Sequence, residues 1–162
     1  ELSKLLNTSV SIEGVGSGTA SSCYKLIINK KKYALKIFHD DPSCYGSISG
    51  ASEEVGLANL LNKLSDKCAK FYFGKIGVEN NRGGYTISEF LEGALPVDKV
   101  RNLCSSPTTF FWNTNLSNNP NIRISPMDTN LTNYPIGGKF FDFGQCLVEP
   151  LNDSGKELIF HL

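Results

Sequence analysis

The sequence predicts an α+β fold in which a five-stranded antiparallel sheet and one helix form the first part of the chain. Three strand-like segments lie within residues 10–38 and are separated by turns rich in glycine and polar residues. One helical segment follows, and two further strand-like segments come at Lys70–Val78 and Tyr85–Leu91. Alternating apolar residues and a high content of β-branched and aromatic residues are typical of strands.

The helix is predicted from a cap, an acidic first turn and an apolar repeat. Ser52 has the residue type of an N-cap, and Glu53 and Glu54 follow where the helix dipole favours acidic residues. The leucines that recur at helical spacing are Leu57, Leu60, Leu61 and Leu64. Residues 92–124 are less regular, and we predict only a short helix at Val97–Leu103, a core cluster at residues 110–112 and, further on, a hairpin at residues 134–141.

The composition gives no evidence for some classes of partner. Sixteen Lys and Arg residues balance sixteen Asp and Glu residues, so the charge gives no reason to expect a nucleic-acid or membrane-surface partner. No apolar run approaches the roughly 18 residues of a membrane span. The five cysteines lie too far apart for a zinc cluster, and we expect reduced thiols in a reducing compartment.

A glycine-rich segment, Gly14-Val-Gly16-Ser-Gly18, joins the first two predicted strands. A Rossmann dinucleotide site is not expected, because it needs a helix after the glycines to hold the pyrophosphate. A hairpin tip can instead close its backbone N–H groups over phosphates. Glycine clusters are also common in ordinary turns, so the motif gains weight only from its context.

Lys36 lies inside the apolar segment Ala34–Phe38 of the next predicted strand. Burying an ammonium group is costly unless a carboxylate pairs with it, and such a lysine is suited to contact the α- and β-phosphates of a nucleotide. The following helix offers Glu53 or Glu54 as the partner, and the sequence does not separate them. An edge lysine that extends to solvent is the simpler alternative.

The last strand of the predicted sheet ends in Ile87-Ser-Glu-Phe-Leu-Glu-Gly93. This order is typical of an adenine-contacting hinge, in which backbone groups of Glu89 and Leu91 pair with the base and Ser88 is a small gatekeeper. An ordinary strand end before a turn would look the same.

The second part of the chain carries an Asp-x₄-Asn motif and then Asp-Phe-Gly. Asp128 and Asn133 form the first motif, and Asp142 begins the second nine residues later. Phosphoryl transfer needs a carboxylate that orients the acceptor hydroxyl and oxygen ligands for Mg²⁺. We therefore expect Asp128 to act on the acceptor and Asn133 and Asp142 to hold Mg²⁺.

With these motifs in this order, the chain resembles the eukaryotic-like protein kinases over about residues 12–146. The resemblance implies a protein-kinase-like fold with an N-lobe at residues 1–91 and, at residues 92–162, a hinge and a strongly reduced C-lobe. It implies ATP and Mg²⁺ as cofactors. The nucleotide contacts that it implies are Gly16, Ser17, Gly18, Thr19, Ser21, Cys23, Ala34, Lys36, Ser88, Glu89, Phe90 and Leu91.

The sequence departs from the family at three points. Ser21 stands where a third glycine is usual, Pro126-Met127 replaces His-Arg before Asp128, and 18 residues follow Gly144. Without that arginine, we expect activity without phosphorylation of an activation loop. The reduced second part is similar to that of minimal bacterial type III secretion effector kinases, which phosphorylate the host ninety-kilodalton heat-shock chaperone.

The resemblance implies a Ser/Thr protein kinase that acts as a monomer on a protein substrate such as a host chaperone. It implies secretion into the host cytoplasm if the chain is an effector, and a cytoplasmic location otherwise. Two alternatives stay open. The chain could be a pseudokinase that docks partners and holds nucleotide without turnover, or a small-molecule phosphotransferase.

Overall fold

The computed structural model describes residues 8–18, 20–39, 50–77, 83–93, 114–127, 138–142, 144 and 146–151. Three predicted site residues, Thr19, Asp128 and Asn133, lie outside the described residues. The predicted helix Val97–Leu103, the cluster at 110–112 and residues 134–137 of the predicted hairpin also lie outside them.

The described residues form seven strands and one helix. In chain order they are β1 (Val10–Ser17), β2 (Ser21–Ile28), β3 (Lys31–Phe38), α1 (Gly50–Leu64), β4 (Phe71–Ile76), β5 (Gly84–Glu89), β6 (Ile122–Pro126) and β7 (Cys146–Pro150). The predicted α+β class, with a five-stranded antiparallel sheet and a helix, is confirmed. Among these residues, no helix has both the length and the hydropathy to cross a bilayer.

The chain divides into two compact units. The first comprises Glu1–Gly56 and Lys70–Leu91, and the second comprises Leu57–Ala69 and Glu92–Leu162. The boundary in the first half of the chain therefore falls inside α1. The lobes predicted at residues 1–91 and 92–162 stay a prediction, and the compact units assign Leu57–Ala69 to the second unit.

The sheet of the first unit has the strand order β1-β2-β3-β5-β4, and all neighbouring strands are antiparallel. A two-residue turn, Asn29-Lys30, joins β2 to β3 with φ angles of 49° and 66°. Positive φ at both central residues is the geometry of a type I′ turn, which matches the twist of a hairpin. This turn fixes the register in which Lys36 lies opposite Cys23.

The first turn of α1 corrects one prediction. The helix begins at Gly50, so the N-cap predicted at Ser52 is wrong. The N–H of Ala51 donates to the carbonyl oxygen of Gly83 at 3.0 Å, and Ala51 is fully buried. A hydrogen bond from a distant segment thus satisfies an amide at the helix start, where a side-chain cap is usual.

The first turns of α1 also pack closely on β4, because position 74 is glycine. A Cβ at Gly74 would lie 2.5 Å from Cγ2 of Val55 and 3.3 Å from Cγ2 of Thr86. Any larger residue would push Val55 away from the strand, and Val55 follows Glu54 directly in the helix.

The second unit has its core around the second half of α1. The N–H of Asn118 donates to the carbonyl oxygen of Leu64 at 2.6 Å and so satisfies one of the last carbonyls of the helix. The N–H of Leu116 donates to the carbonyl oxygen of Ile124 at 2.8 Å. The large buried side chains of this core are Leu57, Leu61, Leu116, Ile124 and Phe140.

Two features of the second unit were not predicted. β6 and β7 pair antiparallel over five residues each, although the sequence predicts no strand at β6. Cys68 is buried, its Sγ lies 3.6 Å from Oγ of Ser65, and burial raises the pKa of its thiol. Cys68 is therefore neutral at physiological pH and packs as a small apolar side chain.

Gly84 offers a test of the first unit. Its φ is 93°, and an added Cβ would meet the carbonyl oxygen of Lys75 and lie 2.9 Å from the backbone nitrogen of Gly77. We expect Gly84→Ala to lower the free energy of unfolding by about 2–4 kcal/mol, because left-handed strain adds to a clash with backbone. Urea unfolding measures the loss.

Gly93→Ala is the matched control. Gly93 has a φ of 87°, but a Cβ there would meet no atom of the described residues within 4 Å. This variant carries the strain without the clash, so we expect a loss of about 1 kcal/mol. Equal losses in the two variants would show that the close approach at Gly84 does not limit stability.

Candidate active site

A buried ion pair joins β3 to α1 in the first unit. Nζ of Lys36 donates to Oε2 of Glu54 at 2.6 Å, and Oγ1 of Thr86 on β5 donates to Oε1 of the same carboxylate at 2.9 Å. Glu54 is 6% exposed and Thr86 is 2% exposed. Both carboxylate oxygens therefore have a donor, which offsets the cost of burying the charge.

The structure separates the two helix glutamates that the sequence left as alternatives. Glu54 forms the ion pair with Lys36, whereas Glu53 lies half-buried in the first turn of α1. Successive helix residues point about 100° apart, so the two side chains cannot face Lys36 equally. The pairing role predicted for Glu53 or Glu54 therefore belongs to Glu54.

Several predicted nucleotide contacts lie on the same face of the sheet as Lys36. Cys23 on β2 and Thr86 on β5 are its direct neighbours, and Ala34 pairs with Ser88 one step further along. Directly paired residues of antiparallel strands point to the same side of a sheet. We call this side the lysine face.

The glycine-rich hairpin has two different faces. Gly16 pairs with Cys23 and so belongs to the lysine face, whereas Gly14 pairs with Tyr24 on the opposite face. An irregularity in β1 separates the two pairs. A Cβ added at Gly14 or at Gly16 would meet no described atom within 4 Å. Next to Gly16, the described residues therefore leave space on the lysine face.

The tip of the hairpin is held by short hydrogen bonds. The N–H of Gly18 donates to the carbonyl oxygen of Ser21 at 2.8 Å. Oγ of Ser17 lies 3.0 Å from Oγ of Ser22, which points away from the lysine face. A contact between Ser17 and a nucleotide would therefore use its backbone rather than its hydroxyl.

The predicted hinge residues lie at and beyond the end of β5. Ser88 and Glu89 are the last residues of the strand, and Phe90 and Leu91 follow it. The N–H of Glu89 donates to the carbonyl oxygen of Lys70 at 2.7 Å. A contact between the backbone of Glu89 and a base would therefore use the carbonyl oxygen of Glu89. The predicted pairing with adenine is thus limited to that atom.

In the second unit, Asp142 has a left-handed backbone with a φ of 64°. Few non-glycine residues adopt this conformation, although Asn and Asp tolerate it best. The chain is fixed two residues earlier, because Phe140 forms 2.8 Å main-chain hydrogen bonds with both Lys67 and Ala69. Strained backbone of this kind persists where its surroundings hold it and is concentrated at functional sites.

The pairing of β6 with β7 places the residues just before the first predicted motif next to residues that follow the second. Pro126, at the end of β6, pairs with Cys146, at the start of β7. Asp128 comes two residues after Pro126, and Asp142 comes four residues before Cys146. Both segments therefore leave the same end of the strand pair, although Asp128 itself lies outside the described residues.

The two predicted Mg²⁺ ligands lie only partly within the described residues. No group of three or more His, Cys, Asp and Glu side chains that could hold a metal occurs in the part of the chain that the structure describes. Mg²⁺ bound with a nucleotide takes most of its ligands from phosphates and water and needs one or two protein carboxylates. Asp142 supplies one such carboxylate, and Asn133, the other predicted ligand, lies outside the described residues.

Sequence reasoning missed Thr86. A threonine in a strand is common, and the alternation in β5 only assigns it to one face. The strand register identifies Thr86, because β5 neighbours β3 and Thr86 lies directly opposite Lys36.

Comparison of the sequence with protein-family models and with curated proteins gives no match. The likeness to kinases therefore rests on short motifs, and the family stays a prediction. The geometry around Lys36 is an independent observation, since it does not depend on sequence similarity.

The ion pair makes a prediction about stability. We expect Glu54→Gln to lower the free energy of unfolding by about 1–3 kcal/mol, because the ion pair with the Lys36 side chain, which is 17% exposed, would be lost. Glu53→Gln is the matched control, and we expect a smaller loss than in Glu54→Gln, because Glu53 is less buried than Glu54. Denaturant unfolding compares them, and a loss in Glu53→Gln as large as in Glu54→Gln would contradict the assignment.

Proposed function

We propose that the protein is an ATP- and Mg²⁺-dependent protein kinase that transfers the γ-phosphoryl group to the hydroxyl of Ser or Thr. The observation that carries the proposal is the Lys36–Glu54 ion pair on the sheet face that also holds Gly16. A purely structural ion pair would not need a glycine-rich hairpin with open space beside it. A nucleotide whose phosphates contact both would account for the two features together.

Lys36 contacts the α- and β-phosphates in this proposal, and Glu54 holds its ammonium group in place. Thr86 fixes the carboxylate in turn, so the lysine has little freedom to turn away. An ammonium group is a compact charge suited to phosphate oxygens. The backbone N–H groups around Gly16 close over the phosphates from the hairpin.

The adenine base lies against the lysine face near Ala34. It pairs with the carbonyl oxygen of Glu89 and with backbone groups of Leu91, and the small side chain of Ser88 leaves room for it. Two backbone contacts are a common way to fix the orientation of a base in a mostly apolar pocket.

Asp142 and Asn133 would hold Mg²⁺, which neutralises phosphate charge when bound. Asp128 accepts a hydrogen bond from the acceptor hydroxyl and orients it toward the γ-phosphorus. The hydroxyl oxygen forms the new P–O bond while the bond to the bridging oxygen of ADP breaks, and the hydroxyl proton passes to Asp128.

The acceptor follows only from the resemblance. A bacterial effector role, action in the host cytoplasm and a host chaperone as substrate stay predictions, as does the monomeric state. Pro126-Met127 before Asp128 supports activity without activation-loop phosphorylation, because no arginine precedes the aspartate to bind a phosphate.

The proposal is tested with radiolabelled ATP, Mg²⁺ and a generic protein substrate. Label on the protein supports it. A nucleotide-dependent rise in melting temperature without transfer would instead indicate a docking module, and transfer to sugars or aminoglycosides would indicate a small-molecule phosphotransferase.

Two aspartate variants separate binding from transfer. Asp142→Asn keeps the side-chain shape and tolerates the left-handed backbone, so we expect it to fold normally and to lose the Mg²⁺-dependent part of the nucleotide melting shift. Asp128→Ala should keep that shift and lower the transfer rate about 10²-fold or more. Undiminished transfer in both variants would remove this mechanism.

A matched pair of glycine variants tests the hairpin. Neither Gly16→Ala nor Gly14→Ala introduces a contact within 4 Å among the described atoms, so both should fold. We expect Gly16→Ala to raise the KM for ATP about tenfold, because its methyl group occupies the lysine face where a phosphate would approach. Gly14→Ala, on the opposite face, should leave the KM within about twofold. Equal effects would argue against phosphate binding at Gly16.

A further inference from the structure

Three hydrogen-bonded side chains hold the glycine-rich hairpin on the face opposite Lys36. Oγ of Ser17 lies 3.0 Å from Oγ of Ser22, and Oγ of Ser22 lies 3.0 Å from Nε2 of His39. Ser17 is the last residue of β1, Ser22 lies near the start of β2, and His39 follows β3. These side-chain hydrogen bonds therefore link the hairpin to the strand that carries Lys36.

The strand register places these three side chains on the side of the sheet away from the lysine face. Ser22 pairs with Ile37 and Ser17 pairs with Ser22, whereas Lys36 pairs with Cys23. Adjacent residues of a strand point to opposite faces. The hydroxyls thus bind each other and the imidazole behind the hairpin, and they leave the lysine face to ligands.

His39 holds the hairpin with its backbone as well. Its N–H donates to the carbonyl oxygen of Ala20 at 2.9 Å, next to the turn that the Gly18–Ser21 hydrogen bond closes. One residue therefore contacts the hairpin twice, by its main chain at Ala20 and by its side chain at Ser22.

We propose that His39 is a positioning residue that sets the position of the glycine-rich hairpin over the nucleotide phosphates. This inference rests on the proposed function. The proposed kinase binds phosphates with hairpin N–H groups, and hydrogen bonds from those groups are effective only at about 2.9 Å. A hairpin without its brace samples positions at which these bonds are too long, so ATP binding weakens while the chemistry around Asp128 is untouched.

Both side-chain hydrogen bonds can form with either tautomer of the His39 imidazole. With the proton on Nδ1, Nε2 accepts from Ser22, and Ser22 accepts from Ser17. With the proton on Nε2, the direction reverses, and Ser22 donates to Ser17. The brace therefore depends on a polar atom at the position of Nε2 rather than on the charge of the ring.

The test uses His39→Ala, Ser22→Ala, the double variant and His39→Gln in the full chain. His39→Ala removes the imidazole and keeps the main-chain hydrogen bond to Ala20. Glutamine carries an amide near the position of Nε2, so His39→Gln should restore the link to Ser22. Hydrogen exchange of the amides of residues 16–22 is measured without nucleotide, and the KM for ATP and kcat are measured separately.

We expect His39→Ala to raise both the hairpin exchange rates and the KM for ATP about five- to tenfold, the equivalent of one lost hydrogen bond, with kcat within about twofold. Ser22→Ala should do the same, the double variant should be no worse than either single one, and His39→Gln should recover most of the effect. A lowered kcat with an unchanged KM, or additive effects in the double variant, would overturn the inference.

The exchange measurement keeps the two proposals distinguishable. If the wild-type protein binds no nucleotide, the proposed function fails, and the exchange rates still decide whether His39 holds the hairpin. If the wild type binds ATP and His39→Ala has the same hairpin exchange rates and the same KM for ATP, the inference fails and the proposed function stands.

Discussion

The buried carboxylate of Glu54 is the constraint on which the first unit depends. At 6% exposure it needs a donor for each oxygen, and the two donors come from different strands, Lys36 on β3 and Thr86 on β5. A shift of the helix by one residue would turn this carboxylate by about 100°. The shift would break its hydrogen bonds with the ammonium group of Lys36 and the hydroxyl of Thr86. The helix can meet this demand only if it approaches the sheet closely, which Gly74 permits because a Cβ there would collide with Val55.

The same constraint gives the two faces of the glycine-rich hairpin different side chains. The strand alternation that turns Lys36 toward Glu54 also turns Gly16 and Cys23 to that side and the hydroxyls of Ser17 and Ser22 to the other. Glycine on one face leaves space beside the backbone, whereas serine on the other provides side-chain hydrogen bonds. A single short segment can therefore be accessible on one side and braced on the other.

Strand positions were predictable because alternation is local, but the partners that complete the site were not. Residues 10–38 carry the pattern of β1 to β3 within the segment itself, and the same holds for β5. The choice of Glu54 over Glu53 depends on the rotation of α1 against the sheet. The helix start at Gly50 depends on Gly83, far along the chain. β6 and β7, at five residues each, are too short for alternation to stand out from the surrounding loops.

Asp142 shows how the second unit holds a conformation that its own sequence does not favour. A φ of 64° costs an aspartate about 1–2 kcal/mol relative to ordinary backbone, so the isolated segment would relax. The chain is fixed before it by the hydrogen bonds of Phe140 with Lys67 and Ala69, and after it by the pairing of Cys146 with Pro126. Relaxing Asp142 would displace hydrogen bonds on both sides, each worth about 0.5–1.5 kcal/mol, and this cost opposes the relaxation. The left-handed backbone of Asp142 is therefore held by residues that lie far from it in the sequence.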